Sequence, residues 1–377
     1  MTPRQRRIRC PFCRSIRTIR YGSFALKKTV VGTKRKRRKR WYCNDCHRAF
    51  TPYQKPSDQL SSLAYQAAEL YYDSKASYRD VARKLGIHRS TAYRLIAGVS
   101  NNCKGPEQVN AELKPRWSGY LIVDGDAIDV GSGKKLLLLG VDSHSQDILY
   151  ARLVNREDGA SWTRFIGDIQ HILGYTPPGV VSDGFPALIQ GVRTVYPQCP
   201  RQLCVRHFEK DLSHLLRYRF IQKRGHWRQN KRLLIAVHRL LYAHSLTGAQ
   251  RQLEAILVDS GFHQAGFSGI IRHIKKQFPH LVTHHHYASM PRTNSIIEGV
   301  ISRLDERIDP ADGYGSQQTC WATLKMLIMW YRFKQFTDCR KNNRHKNGKS
   351  PIQLAGVDTA NINWIRYSQN LKIPTVN

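Results

Sequence analysis

Acidic residues are scarce in this chain: 27 Asp and Glu stand against 61 Lys and Arg in 377 residues, a formal charge of +34. A surplus of that size points to a polyanionic partner, with nucleic acid the default. Long apolar stretches are also missing. No run approaches the roughly 20 apolar residues that cross a bilayer. The basic residues are not strung along one amphipathic helix, which weighs against an anionic membrane surface. No apolar h-region stands near the first residue, so a secretory leader is not expected. The expected location is cytoplasmic and nucleoid-associated in a prokaryote, or nuclear in a eukaryotic host. G-x-G-x-x-G follows none of the apolar runs, which removes the dinucleotide-binding signature. The length allows two or three domains and at least one sizeable core.

The charge is unevenly placed. Residues 1–56 hold 18 Lys or Arg against one acid, Asp45, and four of the nine cysteines fall in the same segment. CPFC at 10–13 and CNDC at 43–46 are separated by 29 residues. Each C-x2-C can form a knuckle presenting two thiolates, so Cys10, Cys13, Cys43 and Cys46 read as the zinc ligands of a ribbon. Without a leader, paired cysteines favour metal over disulfide. So small a module would owe most of its folding energy to the ion. Residues 21–31 and 37–42 are plausible strands joined by a basic turn. The run Lys34, Arg35, Lys36, Arg37, Arg38, Lys39 and Arg40 is expected to contact phosphate, adding affinity and salt sensitivity but little sequence readout. An import signal and a solvated hairpin tip are the bland alternatives.

Beyond a short linker with two prolines, residues 60–98 read as three helices. Val81, Ala82, Leu85, Ile87, Ala92, Tyr93 and Ile96 suit the buried positions of a helix-turn-helix, with Gly86 in the turn. His88 or Ser90 can cap the last helix. His88, Arg89, Ser90, Thr91 and Arg94 would then face a major groove.

Residues 117–205 change character. Apolar runs stop at acids or turn residues, and the helical stretch between them places Trp162, Phe165, Ile166, Ile169 and Ile172 on one face. The order strand, strand, strand, helix, strand, helix is that of a ribonuclease-H-like α/β sheet. Asp124 ends the apolar run Tyr120–Val123, and Asp183 ends Val180–Ser182. Ligands gather at strand ends of such sheets, so both acids can serve one crevice. Asp126 shares strand parity with Asp124 and competes for the same role, whereas Asp142 reads as a turn residue. Far downstream, Glu298 is the only acid between Ser260 and Leu304. Thr293 or Asn294 can cap its helix, with Ile297, Val300, Ile301 and Leu304 as the apolar stripe. Three converging carboxylates can hold two divalent cations about 3.5–4 Å apart, which suits phosphodiester chemistry. Hard oxygen ligands select Mg²⁺ or Mn²⁺.

YLIVDGD, EDGASWTRFIGDI, VVSDGFPAL, QLCVRHFEKDL and TNSIIEGVISRL occur in this order over residues 117–305. Together they resemble the DDE transposases of the Mutator-like group, including their insertion-sequence relatives. The resemblance implies a catalytic triad of Asp124, Asp183 and Glu298, with Cys204 and His207 as a C-x2-H element beside it. It implies hydrolysis at an element end to free a 3′-OH, which then attacks target DNA. It also implies two Mg²⁺ or Mn²⁺ ions in the site. VDGDAID holds more acids than the family's first motif requires, which leaves Asp124 and Asp126 as alternatives.

The expected architecture is multidomain. A zinc ribbon over 1–55 precedes an α-helical helix-turn-helix over 57–100. The ribonuclease-H-like domain follows over 115–207, is interrupted by a helical insertion at 208–290, resumes over 291–350, and leaves a tail at 351–377. The insertion's Arg, Lys and His would bind DNA flanking the cut, or the insertion is purely structural. His284 to His286 read as loop with a possible phosphate contact. Double-stranded DNA, as terminal repeats and target, is the expected partner. A homodimer or larger assembly on DNA is expected because two ends must be cut and joined. The rivals are a transposase-derived regulator without catalysis and a hydrolytic nuclease or resolvase.

Overall fold

The computed structural model describes residues 8–25, 37–51, 58–131, 133–222, 227–308 and 313–370. These divide into two compact units, one reaching to Asn102 and including Asn370, the other running from Cys103 to Gln369.

The first unit opens on a small antiparallel sheet of β1 (Thr18–Ala25), β2 (Arg37–Cys43) and β3 (Ala49–Phe50). Among the described residues, Cys10, Cys43 and Phe50 form its buried cluster, with Ile8, Trp41 and Cys46 packed against it. Cooperative folding needs more apolar burial than that. Three helices follow in the sequence, α1 (Asp58–Tyr72), α2 (Tyr78–Lys84) and α3 (Arg89–Asn101). Ser77 and Asp80 form a capping box at the start of α2, which satisfies two otherwise orphaned donors. Gly86, at φ +63°, makes the left-handed turn that ends it, a conformation that glycine adopts at little cost. Val81, Ala82, Ala92 and Ile96 are buried as expected. Leu85 and Ile87 are only half-buried. Tyr93 is a correction: it is 45% exposed and meets Tyr78 edge-on. One step of about 100° from Ala92 carries it off the apolar face of α3.

The second unit starts with α4 (Pro106–Leu113). It then builds a five-stranded sheet from β4 (Leu121–Val130), β5 (Gly133–Asp142), β6 (Ile148–Val154), β7 (Val180–Ser182) and β8 (Arg201–Leu203). Their order is β6-β5-β4-β7-β8. The first three strands pair antiparallel, and β7 and β8 continue parallel to β4. Helices α5 (Gly159–Leu173) and α6 (Pro186–Val195) connect the later strands. Trp162, Phe165, Ile166 and Ile169 of α5 are buried with Leu121, Val123, Leu138 and Leu188. Ile172, expected on that face, is 53% exposed; Leu173, one turn on from Ile169, packs against the core in its place. Gly191 lets α6 approach α5 closely, since a Cβ there would sit 2.9 Å from the Trp162 backbone.

A helical segment follows β8: α7 (Val205–Gln222), α8 (Trp227–Leu241), α9 (Leu246–Val258), α10 (Ser260–Gln264) and α11 (Ser268–Leu281). It has a core of its own, including Leu212, Leu233, Val237, Leu240, Ile256, Phe262 and Ile274. The chain returns through α12 (Ser295–Ile308), which packs on β4, and α13 (Gln317–Phe333), then ends in the short helices α14 (Pro351–Leu354) and α15 (Trp364–Tyr367). On α12, Ile297, Val300, Leu304 and Ile308 are buried. Arg332 of α13 is fully buried and grips both oxygens of Asp147 at 2.8 Å, while Trp117 Nε1 and Asn110 complete the network. Asp142 is also buried. It accepts from Gly119 N, Ser145 N and Ser145 Oγ, which closes the turn after β5.

Candidate active site and nucleic-acid interface

In the ribbon, each cysteine pair sits on a tight knuckle. Arg14 N donates to Cys10 O and His47 N to Cys43 O, and Arg14 and His47 both adopt positive φ. These turns bring the four thiols together, with every ligand atom within 4.8 Å of the others. The Sγ atoms of Cys10 and Cys46 are 3.6 Å apart, and those of Cys13 and Cys43 are 3.4 Å apart. A tetrahedron with Zn–S bonds near 2.3 Å has edges of about 3.8 Å. The four thiols therefore fit an ion such as structural zinc.

Basic residues on and beside β2 differ in what can be said of them. Lys34, Arg35 and Lys36, and the side chain of Arg38, lie outside the described residues. Arg37, Lys39 and Arg40 are exposed; Arg37 Nε donates to Ser23 Oγ, and Arg40 lies over Tyr21. At the head of α3, His88 is the cap, its Nδ1 accepting from Ser90 N. His88, Arg89, Ser90 and Arg94 are exposed and Thr91 is half-exposed. They offer a polar, cationic edge suited to a nucleic-acid groove.

The acids of the second unit meet through strand register. β4 and β7 pair Leu121 with Val180 and Ile122 with Val181, while β7 and β8 pair Ser182 with Leu203. Continuing that register brings Asp124 opposite Asp183, and Asp183 opposite Cys204. Asp124 does not end its strand, as the apolar run suggested: β4 runs on to Val130 alongside β5. What ends just before Asp124 is the pairing with β7, and the gap that opens there is the crevice. Asp126 lies two residues further along β4, on the same strand face as Asp124.

Two helix N-termini close on this line. α7 begins directly after Cys204 and carries Arg206 and His207 in its first turn; α12 carries Glu298 in its first turn. The two starts are tied together: Val205 N donates to Arg292 O, and Asn294 N to the buried Cys204 sulfur. His207 Nε2 lies 3.8 Å and Arg206 Nη1 3.6 Å from Glu298. Cys204 and His207 thus stand beside the acids. Among the described residues, the four ribbon cysteines are the group whose ligand atoms draw within 4.8 Å; the three acids are more loosely spaced.

Electrostatics mark the same spot. Burial, then the charge of Asp183, raises the Asp124 carboxyl to about 7, with Glu298 adding to the effect. Asp183 is raised as well, mainly by burial. The Cys204 side chain beside His207, together with the charges of Asp124 and Glu298, raises the imidazole to about 9. Buried carboxyls set beside one another favour the approach of positive charge, which hard divalent ions can supply.

Two residues gain a place here that sequence reasoning did not give them. Glu157, just before α5, is a further carboxyl raised by partial burial and by Asp183. Asn294, expected only as a helix cap, donates from Nδ2 to Asp124 Oδ2 at 2.9 Å. Its position four residues before Glu298 was the available signal, since residues i and i+4 share a helix face. A groove of about 570 Å³ begins next to Glu157 and is lined by Arg152, Asn155, Arg156, Ser161, Arg164 and Gln317. The His284–His286 segment is a turn, but His284 is committed inward: its backbone N and its Nδ1 both lie within hydrogen-bond distance of Gln202 Oε1.

Residues 120–312, just over half of the chain, match the sequence model described as transposase, Mutator family. Residues 62–109 match a homeodomain-like domain. No curated protein matches the chain. Among solved structures, the chain is similar to one in the cryo-EM structure of the simian T-cell lymphotropic virus intasome in complex with PP2A regulatory subunit B56 gamma. That likeness has 15% identity and a TM-score of 0.21, and covers 48% of this chain and 62% of that one, less than two thirds.

Proposed function

The chain belongs to the Mutator family of transposases, and from that premise we propose that it cuts DNA at element ends and transfers the freed strand, using Asp124, Asp183 and Glu298. The carrying observation is the strand register that brings Asp124 opposite Asp183 where β4 and β7 part, with α12, the helix of Glu298, packed on β4. The sheet order, three antiparallel strands followed by two parallel ones, supports a ribonuclease-H-like fold for this unit.

Asp124, Asp183 and Glu298 would hold Mg²⁺ or Mn²⁺, which when bound supplies activation of the attacking oxygen and charge stabilisation of the leaving one. The chain's own groups do the rest. The acids would hold those ions between β4, β7 and α12, offsetting the charge that would otherwise keep the scissile phosphate away. Arg206 and His207, flanking Glu298, donate to non-bridging phosphate oxygens and offset the anionic charge that builds there. Arg156 and Arg164, in the groove beside Glu157, hold the backbone leading to the cut. Water first replaces the 3′ oxygen on phosphorus, freeing a 3′-OH. That hydroxyl then attacks a phosphodiester of target DNA, one P–O bond forming as another breaks, with no covalent protein–DNA link. α3 and the ribbon select and hold the terminal repeats, and two protomers acting together bring two ends to one target.

The test is Mg²⁺-dependent cleavage of the element's own terminal repeats by the full chain, comparing the parent with Asp183→Asn and Glu298→Gln. Both variants are expected to bind the repeats and fail to cut. Parental cutting by either would remove that residue from the triad.

A further inference from the structure

We propose that Asn294 is a positioning residue for Asp124, fixing the first acid of the site to the helix that carries Glu298. The inference rests on the reading above that Asp124 is a metal-holding acid. Asn294 is fully buried, and its side chain spans from the start of α12 to β4. Its backbone serves the helix: its carbonyl accepts from Ile297 N and Glu298 N, and its N–H reaches the Cys204 sulfur. An ordinary cap would turn its side-chain oxygen onto the second or third helical N–H. Here the amide is turned the other way. Nδ2 faces Asp124 Oδ2, and Oδ1 is left buried without a hydrogen-bond partner. Burying an unpaired carbonyl carries a penalty, so the rotamer is set by the bond to Asp124 and not by helix capping.

The consequence for Asp124 is a carboxylate held at both oxygens. Oδ1 accepts from Gly125 N at 2.9 Å and Oδ2 from Asn294. An amide nitrogen is suited to this task, because it donates without bringing a charge that would compete with a cation. Because Asn294 and Glu298 sit one turn apart on α12, the same bond sets the distance between the first acid and the last. Ligand groups held by such outer partners lose affinity when the partner is removed.

The test uses Mn²⁺ alone as the probe. Binding to the full-length protein without DNA is followed by the loss of free-ion signal in electron paramagnetic resonance. Cleavage of terminal-repeat DNA is measured across a Mn²⁺ series. Asn294→Thr is the main variant, close in size and an accepted cap but too short to reach Asp124; Asn294→Ala is the second. Each is expected to weaken Mn²⁺ binding by about 10- to 100-fold, with cleavage partly restored at high Mn²⁺. Thermal midpoint and affinity for terminal DNA should stay close to parental. A structural role alone would lower the midpoint and would not be rescued by metal. If either variant folds and shows parental Mn²⁺ binding, the inference is overturned. Asp124→Asn separates the two layers. If it binds Mn²⁺ and cuts like the parent, the underlying reading fails; if it loses both while the Asn294 variants lose neither, only the role of Asn294 fails.

Discussion

The ribbon and the sheet unit gather their chemistry over very different spans of chain. In the ribbon, each thiol pair comes from four consecutive residues, and the knuckle hydrogen bonds aim the sulfurs with a buried cluster, among the described residues, of Cys10, Cys43 and Phe50. In the sheet unit, Asp124, Asp183 and Glu298 come from two strands and a helix, more than fifty and more than a hundred residues apart. Their meeting depends on strand register, on the packing of α12 against β4, and on a core that includes Trp162, Phe165 and the buried Arg332–Asp147 pair. A short-range site can lean on its metal for stability, whereas a long-range site needs a fold that stands before the metal arrives.

That contrast can be broken most forcefully at the ribbon. A structural zinc contributes an apparent 10–16 kcal/mol or so to small domains of this kind. Chelation or Cys43→Ser should therefore unfold the ribbon outright, while the unit from Cys103 onward keeps its melting transition. Metal analysis should find about one zinc per chain. A ribbon that stays folded without metal, as read by NMR of its amides, would contradict the comparison.

Within the sheet unit the matching experiment is Asp147→Ala, which leaves the buried Arg332 guanidinium without its carboxylate and with Asn110 Oδ1 as a neutral partner. A loss of about 3–5 kcal/mol in chemical denaturation is expected, with the zinc content unchanged. Smaller again is the effect at α3. Arg94→Ala should cost terminal-repeat binding about 1–3 kcal/mol while leaving both units equally stable, checked by fluorescence anisotropy at fixed salt.

The smallest effect concerns pH. Burial, then the charges of His285 and Arg292, pushes His284 down from 6.5 to about 4. Between those values the unfolded chain takes up a proton that the folded chain refuses, so this group makes stability fall as pH drops from 6.5 towards 4. His284→Gln should flatten that part of the denaturation profile, and an unchanged slope would count against the inward placement of His284.

Legibility in the sequence followed the same divide. C-x2-C spacing, the Ser77–Asp80 capping box and Gly86 act within a few residues, so the knuckles and the helix-turn-helix could be read directly. Glu298 stands out in the sequence as the lone acid in a basic stretch, and Asp183 as the residue at which an apolar run stops. The sequence leaves Asp124 and Asp126 as alternatives, since both lie on the same face of β4; the end of the β4–β7 pairing beside Asp124 is what favours it in the proposed site. Asn294 was visible as a cap, but its bond to Asp124 depends on a contact across 170 positions of chain. Tyr93 and Ile172 differ from expectation because each lies one step of about 100° off the covered stripe, beside Ala92 and Leu173 respectively.

The central claim is that Asp124, and not its neighbour two residues along β4, belongs to a metal site with Asp183 and Glu298. The most direct measurement is metal-dependent cleavage of terminal-repeat DNA by Asp124→Asn and Asp126→Asn side by side, with DNA binding recorded for each. Asp124→Asn is expected to bind DNA but lose cutting by about a hundred- to a thousandfold, the scale for removing a charge-stabilising group from a preorganised site, while Asp126→Asn still cuts. Cutting by Asp124→Asn at the parental rate would contradict it.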